Sequence, residues 1–272
     1  MTNYNRGFTL LELSIVITVI GLIIGGITVG RSVIRNSELQ SVISDVNRFK
    51  NAIKLFRDKY HDLPGNKQDG VAFWGADSAC PAVANLVPKA ATCNGSGDGF
   101  ISGSAGTPLA IGGNYYESLR AWQQLANARF IEGGYSGADG TTTHYALGIN
   151  IPASKMKQRG YTLSYAAPTG MNGTAGAVAG VFGANYRHII VFGMTTGIPL
   201  NEPANMAGLQ ADDAESIDQK IDDAQPGTGN VLTYTNNAAS PTTSCASSAV
   251  ESTATYSTSA GLLCSLIFIT GF

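Results

Sequence analysis

Charge is scarce in this chain. Only 13% of its 272 residues are charged, and 17 basic against 19 acidic side chains leave a net charge of −2. No basic patch or tail stands out, which argues against a nucleic-acid partner. Histidine is rarer still, at three residues, His61, His144 and His188, far apart in the sequence. Gly-x-Ser-x-Gly, His-Glu-x-x-His and P-loop patterns are all missing, so no standard catalytic set is present and the reading is a non-enzyme. Proline is absent between Phe8 and Tyr60. Helix can therefore run through that whole stretch without a lost hydrogen bond or a ring clash.

Cysteine is limited to Cys80, Cys93, Cys245 and Cys264. Neither local pair has the short spacing of a zinc knuckle, so a zinc site is not expected. An even count in an exported chain reads as two disulfides closing short loops. Nearest-neighbour pairing, Cys80–Cys93 and Cys245–Cys264, is the expected one of three connectivities. Apolar strand-like segments recur throughout the Ser-, Thr-, Asn- and Gly-rich second half, which speaks against disorder.

What the chain does have is one long apolar run. Between Arg6 and Arg31 its only charge is Glu12. As a helix, residues 8–30 would be roughly 35 Å long, enough to cross a bilayer core. A carboxylate at the centre of such a span costs about 2.5–3.5 kcal/mol, and Glu12 near one end costs less, yet it calls for a partner. The basic Arg6 before the run places the N-terminus on the cytoplasmic side. Within the run, Gly21 and Gly25, and Gly26 and Gly30, are spaced as Gly-x-x-x-Gly pairs. Such pairs let helices approach closely, and each glycine also weakens a helix by about 1 kcal/mol relative to Ala. The zone therefore reads either as packing notches or as a segment able to unwind.

Beyond Arg31 the pattern becomes amphipathic. Leu39, Val42, Val46, Phe49, Ile53, Phe56 and Tyr60 step by three and four, a helical stripe that reads as a core-facing surface. Glu38, Asp45, Lys50 and Arg57 occupy the other side. Leu63-Pro64-Gly65 ends the helix. Further on, residues 115–131 read as a helix, 167–185 as a Gly/Ala-rich loop, and Ala211 to Ala224 as a short acidic helix. Thr143–Ile149, Tyr161–Ala166, His188–Met194, Val231–Thr235 and Leu262–Ile269 read as strands, rich in β-branched and aromatic residues. Asp98, in a Gly-Asp-Gly turn, and Asp218, Asp222 and Asp223, in the acidic helix, are weak calcium candidates. Asp98 is the only carboxylate within several residues of that turn, where Ca2+ wants six to eight oxygens. No cofactor is otherwise expected.

The ordered set Gly7-Phe8-Thr9-Leu10-Leu11-Glu12-Leu13, behind a short basic leader and ahead of the apolar run, resembles the prepilin-type signal of the type IV pilin and type II secretion pseudopilin superfamily. The resemblance implies cleavage between Gly7 and Phe8 by prepilin peptidase, with N-methylation of Phe8. It also implies that Glu12 pairs with the N-terminal amine of a neighbouring subunit. Many pilins of this kind carry a helix-breaking proline after the apolar zone, which this chain lacks. Leu63-Pro64-Gly65-Asn66 is similar to a Leu-Pro-Gly-Asp stretch of pilin-like proteins, with Asn66 in place of Asp. Ile217–Asp223, followed by Pro226-Gly227-Thr228-Gly229, is similar to a segment near the C-terminus of the same subgroup.

The implied fold is α+β and pilin-like, a long N-terminal helix (about 8–60) whose C-terminal half packs on an antiparallel head. The implied organisation is a leader (1–7), an apolar membrane or filament-core helix (8–30), an amphipathic helix (31–62) and a head (63–272) with two disulfide loops. The expected function is a pilin subunit of a type IV pilus-like filament. A pseudopilin or minor pilin of a type II secretion system, and a membrane-anchored periplasmic binding module that never polymerises, are the alternatives. Implied partners are identical or related subunits, prepilin peptidase, the assembly machinery and, before assembly, the inner membrane. After assembly the chain would lie in the periplasm or in an extracellular filament.

Overall fold

The computed structural model describes residues 9–78, 80, 86–101, 117–138, 145–167, 170–171, 187–195, 207–234, 245–248, 250–262 and 264–272. Two compact units are distinguished, Met1–Gln40 and Ser41–Phe272. Helix α1 (Leu10–Tyr60) contributes to both.

In the first unit, α1 carries the apolar run. Its side chains are open, with Leu10 88% and Leu22 73% exposed. The helix passes through Gly21, Gly25, Gly26 and Gly30 without interruption.

In the second unit the same helix becomes a core element. Val42, Val46, Phe49, Ile53 and Phe56 are buried, as their three-and-four spacing requires. Phe49 packs edge-on against Trp122 of α3 (Glu117–Asn127) at 4.9 Å and against Tyr161 of β1 (Arg159–Ala167) at 5.1 Å. Phe56 meets Trp74, at the end of the short α2 (Gly70–Trp74), and Phe130. Asp45 is not a purely solvated side chain. It is half-buried, accepts the Tyr161 hydroxyl at 3.1 Å and pairs with Arg48. The helix stops where His61 takes a left-handed φ of 55° and Pro64 follows. Gly65 then turns at φ 81°, where a Cβ would collide with the Glu117 carbonyl.

The sheet adds β2 (Gly170–Met171), β3 (Arg187–Met194), β4 (Val231–Tyr234) and β5 (Ser265–Ile269) in the order β2-β1-β3-β5-β4, with every neighbour antiparallel. Tyr161 lies opposite Phe192, Leu163 opposite Ile190, and Ile190 opposite Phe268. Tyr161 brings this face against Phe49 of α1. The alternate residues Thr162, Ile189, Val191, Leu232 and Ile267 are also buried, so both faces are covered. Helix α4 (Ala211–Ile221) packs near β4, and its Ala214 and Ile217 are buried. The arrangement is α+β and pilin-like.

Several elements differ from the sequence expectation. Of the strand expected at 143–149, residues 143 and 144 lie outside the described residues, and 145–149 form a turn with a single bridge, Leu147 to Ile151. Gly148 at φ 73° and a bond from Ala146 N–H to Asn150 Oδ1 fold that stretch back on itself. Helix α4 ends at Ile221 rather than Ala224, because Asp222 leaves helical geometry and Ala224 has a φ of 60°. The last strand begins at Ser265, after Cys264, not at Leu262. Helix α3 is shorter than 115–131, ending at Asn127 with Arg129 at a φ of 62°. The expected 167–185 loop falls largely outside the described residues.

Candidate functional site

The sequence places the functional residues at the start of α1. Gly7 and Phe8 lie outside the described residues. From Thr9 onward the geometry is defined. Glu12 Oε2 accepts the Thr9 backbone N–H at 2.8 Å and the Thr9 hydroxyl at 2.9 Å, while Thr9 Oγ1 accepts the Glu12 N–H at 3.2 Å. This is a reciprocal capping box, in which Thr and Glu three apart satisfy donors that a helix start leaves open. Both bonds to the carboxylate use Oε2, and Oε1 takes part in neither. The carboxylate thus fixes where the helix starts and presents an oxygen beside the point where Phe8 joins the chain. The Thr-x-x-Glu spacing of such a box is visible in the sequence at Thr9 and Glu12.

Beyond the box, leucine, isoleucine and valine cover the helix on all sides, and the 18-residue apolar window is entirely unburied. A helix apolar all round belongs in a membrane or among other helices. Polar side chains within it fold back on the backbone, Ser14 to the Leu11 carbonyl, Thr18 to Ser14 and Thr28 to Gly25. Their hydroxyls are thereby satisfied without water. A Cβ added at Gly21, Gly25, Gly26 or Gly30 would meet nothing within 4 Å. Any packing notch at these glycines therefore faces outward, away from this chain's own side chains.

The remaining sequence candidates lie in the second unit. Cys80 and Cys93 are bonded with a Cα–Cα distance of 5.8 Å, Cys245 and Cys264 with 4.8 Å. Cys93, Cys245 and Cys264 are buried, so these crosslinks are anchored in the core rather than only at its rim. Asp218, Asp222 and Asp223 bring carboxylate oxygens within 4.8 Å of one another. Asp222 Oδ2 accepts the backbone N–H groups of Asn230 and Val231. Asp223 accepts the Gln225 N–H at 2.9 Å and the Thr228 hydroxyl at 2.6 Å. These two carboxylates clasp the loop between α4 and β4. Asp218 is fully buried and accepts the Tyr256 hydroxyl at 2.8 Å. Burial raises its carboxyl to about 7, with Asp223 and Asp222 adding to the rise and the Tyr256 bond opposing it. Asp98 accepts the Phe100 N–H and faces Asn66 and, through it, Glu117.

Two buried polar groupings have no local sequence signal. Asp77 is sandwiched between Lys89 Nζ at 2.6 Å and Arg120 Nη2 at 3.1 Å. His188 accepts the Ile101 N–H at Nε2, which leaves its Nδ1–H to donate to the main-chain oxygen of Phe272 at 3.0 Å. Burial lowers the His188 pKa.

Residues 2–28 match the family model described as the prokaryotic N-terminal methylation motif. That motif is the signature of the prepilin-type signal of type IV pilins and pseudopilins. No curated protein and no solved structure matched the chain.

Proposed function

We propose that this chain, whose N-terminus carries the prepilin-type signal of the pilin and pseudopilin class, is a structural pilin that polymerises through α1 into a type IV pilus-like filament. The observation that carries the reading is the exposed apolar surface of residues 10–34, headed by the methylation motif. That surface is too large to stay in water, and a bilayer core or a bundle of like helices would cover it. Before assembly the segment spans the inner membrane once. Prepilin peptidase removes residues 1–7 and methylates the new Phe8 amine. Assembly then transfers the helix from lipid to a filament core in the periplasm or outside the cell.

Glu12 supplies the directional contact in this scheme. A carboxylate moved into an apolar core is stable only when paired. Its Oε2 is held by Thr9, which leaves Oε1 to accept the N-terminal amine of a neighbouring subunit. The outward glycines let the neighbours' helices approach. Family signature and geometry both support a structural role rather than an enzymatic one.

The test is made in the native cell. Sheared surface fibres should contain this chain as their bulk protein, and Glu12→Gln should abolish incorporation. Unchanged incorporation of Glu12→Gln would defeat the assembly reading. Wild-type chain confined to the cell envelope would point instead to a pseudopilin.

A further inference from the structure

Asn66 is fully buried, and its Nδ2 stands among four oxygens. Ser96 Oγ lies at 2.8 Å, Asp98 Oδ1 and the Phe100 carbonyl at 2.9 Å, and Glu117 Oε1 at 3.3 Å. An amide nitrogen carries two protons, so it cannot serve all four. Two of the four oxygens belong to carboxylates, and Glu117 is only 1% exposed. The point they surround is strongly negative, and a neutral amide compensates it poorly. Asp98 stands at the exposed mouth of this pocket.

The order of residues in the loop gives an independent indication. Calcium loops of the helix–loop–helix kind take side-chain oxygens from positions 1, 3 and 5, a glycine at 6 and a backbone carbonyl at 7. With Asn94 as position 1, Ser96 falls at 3, Asp98 at 5, Gly99 at 6 with φ 84°, and Phe100 at 7. The oxygens at 3, 5 and 7 are those that converge. Position 1 departs from the pattern, since Asn94 Oδ1 accepts the Val71 N–H. Asn66 stands at the cluster instead. The carboxylate that closes such loops from position 12 is supplied here by Glu117, the first residue of α3.

We propose that Asn66, Ser96, Asp98, the Phe100 carbonyl and Glu117 form a Ca2+ site. The ion takes the point now held by Asn66 Nδ2, and the Asn66 amide turns to offer Oδ1. That turn exchanges the bond from the Gly99 N–H to Oδ1, 3.1 Å long, for a metal bond. The protein then supplies five or six oxygens, depending on whether Glu117 binds through one or both, and water completes the shell. Two carboxylates match the charge of a divalent cation. An irregular shell suits Ca2+ better than Mg2+, which demands a near-ideal octahedron. The ion would tie together the chain just past α1, the loop after Cys93 and the start of α3. The site lies wholly in the second unit and does not depend on polymerisation.

The test uses the full chain in detergent, stripped with EDTA and titrated with CaCl2 by calorimetry and by thermal unfolding. We expect one Ca2+ equivalent, with a Kd of about 10⁻⁴–10⁻³ M as in other extracellular modules. Tm should rise with CaCl2 and not with MgCl2. Asp98→Asn and Glu117→Gln should each weaken binding at least tenfold, with circular dichroism showing that each is folded. Asn66→Asp, which adds a carboxylate, should tighten it. If Glu117→Gln fails to fold, the exposed Asp98→Asn decides. The proposal is overturned if wild type shows neither heat nor a Tm change, or if Asp98→Asn binds as wild type does. Binding abolished by Asp222→Asn while Asp98→Asn leaves it intact would place the ion at the α4 cluster and also overturn it.

Discussion

Residues 10–34 and 42–56 belong to one helix and are both rich in large apolar side chains, yet they live in opposite environments. Leu22 is 73% exposed and Ile53 is fully buried. The difference is pattern rather than content. In the later stretch apolar residues recur at three and four, leaving a polar side for solvent, and α3 and β1 cover the stripe. In the earlier stretch apolar residues surround the helix, so no single packed face could shield it. One helix thus serves as a core element of the head at one end and carries an uncovered apolar surface at the other. Substitutions should therefore separate folding of the head from anchoring and assembly.

The largest effect is expected at Phe49, whose ring touches both Trp122 and Tyr161. Phe49→Ala should cost about 3–5 kcal/mol of head stability, measured by denaturant unfolding of the full chain in detergent. Leu22→Ala should change that stability by less than about 0.5 kcal/mol while weakening incorporation into fibres. Equal losses at the two positions would erase the distinction.

Next in size is the crosslink that precedes β5. Replacing Cys245 and Cys264 together by Ser should lower head stability by about 3 kcal/mol, as loop-closure entropy suggests for a short loop. Membrane anchoring should not change. An unfolding transition that stays put would show that the crosslink adds nothing to the head.

A smaller effect follows from Asp218. Its carboxyl is raised from 3.8 to about 7, so between those values the folded chain holds a proton that the unfolded chain has released. The stabilisation is complete below about 3.8 and is lost as pH rises through about 7. Asp218→Asn should remove this slope, on the order of a few kcal/mol between pH 4 and 8, and should be more stable than wild type at pH 8. His188 acts in the opposite sense, because burial lowers its pKa. Its contribution is present above about 6.5 and is lost as pH falls. The difference between wild type and Asp218→Asn isolates the carboxyl, and parallel pH profiles would refute the assignment.

The smallest effect is local. Thr9→Ala breaks the capping box and should destabilise the helix start by about 1 kcal/mol. Faster amide exchange at residues 10–13, with no change in unfolding of the head, is the expected signature. Protection unchanged at those amides would mean that the box does not hold the helix start.

Much of this was legible in the sequence because it is local. The two patterns of α1 can be counted off, as can the stop at Leu63-Pro64-Gly65 and the β-branched runs that become β1, β3, β4 and β5. Helix α2 was missed because five residues carry too short a pattern. The 143–149 stretch misled because its composition suits a strand, whereas Gly148 and the Asn150 side chain fold its described part, residues 145–149, into a turn. Asp77 with Lys89 and Arg120, and Asp98 with Asn66 and Glu117, could not be read at all. Their partners lie 12 to 51 residues apart, and only tertiary packing joins them. Asp98 looked too poor in oxygens for a cation because its neighbours in space are not its neighbours in sequence.

The account rests on the chain being processed at the head of α1. Mass spectrometry of the mature N-terminus, on protein isolated from the native cell, tests this most directly. The expected result is a chain beginning at Phe8 with a single methyl group on its amine. A mature chain that begins at Met1, or anywhere other than Phe8, would contradict it.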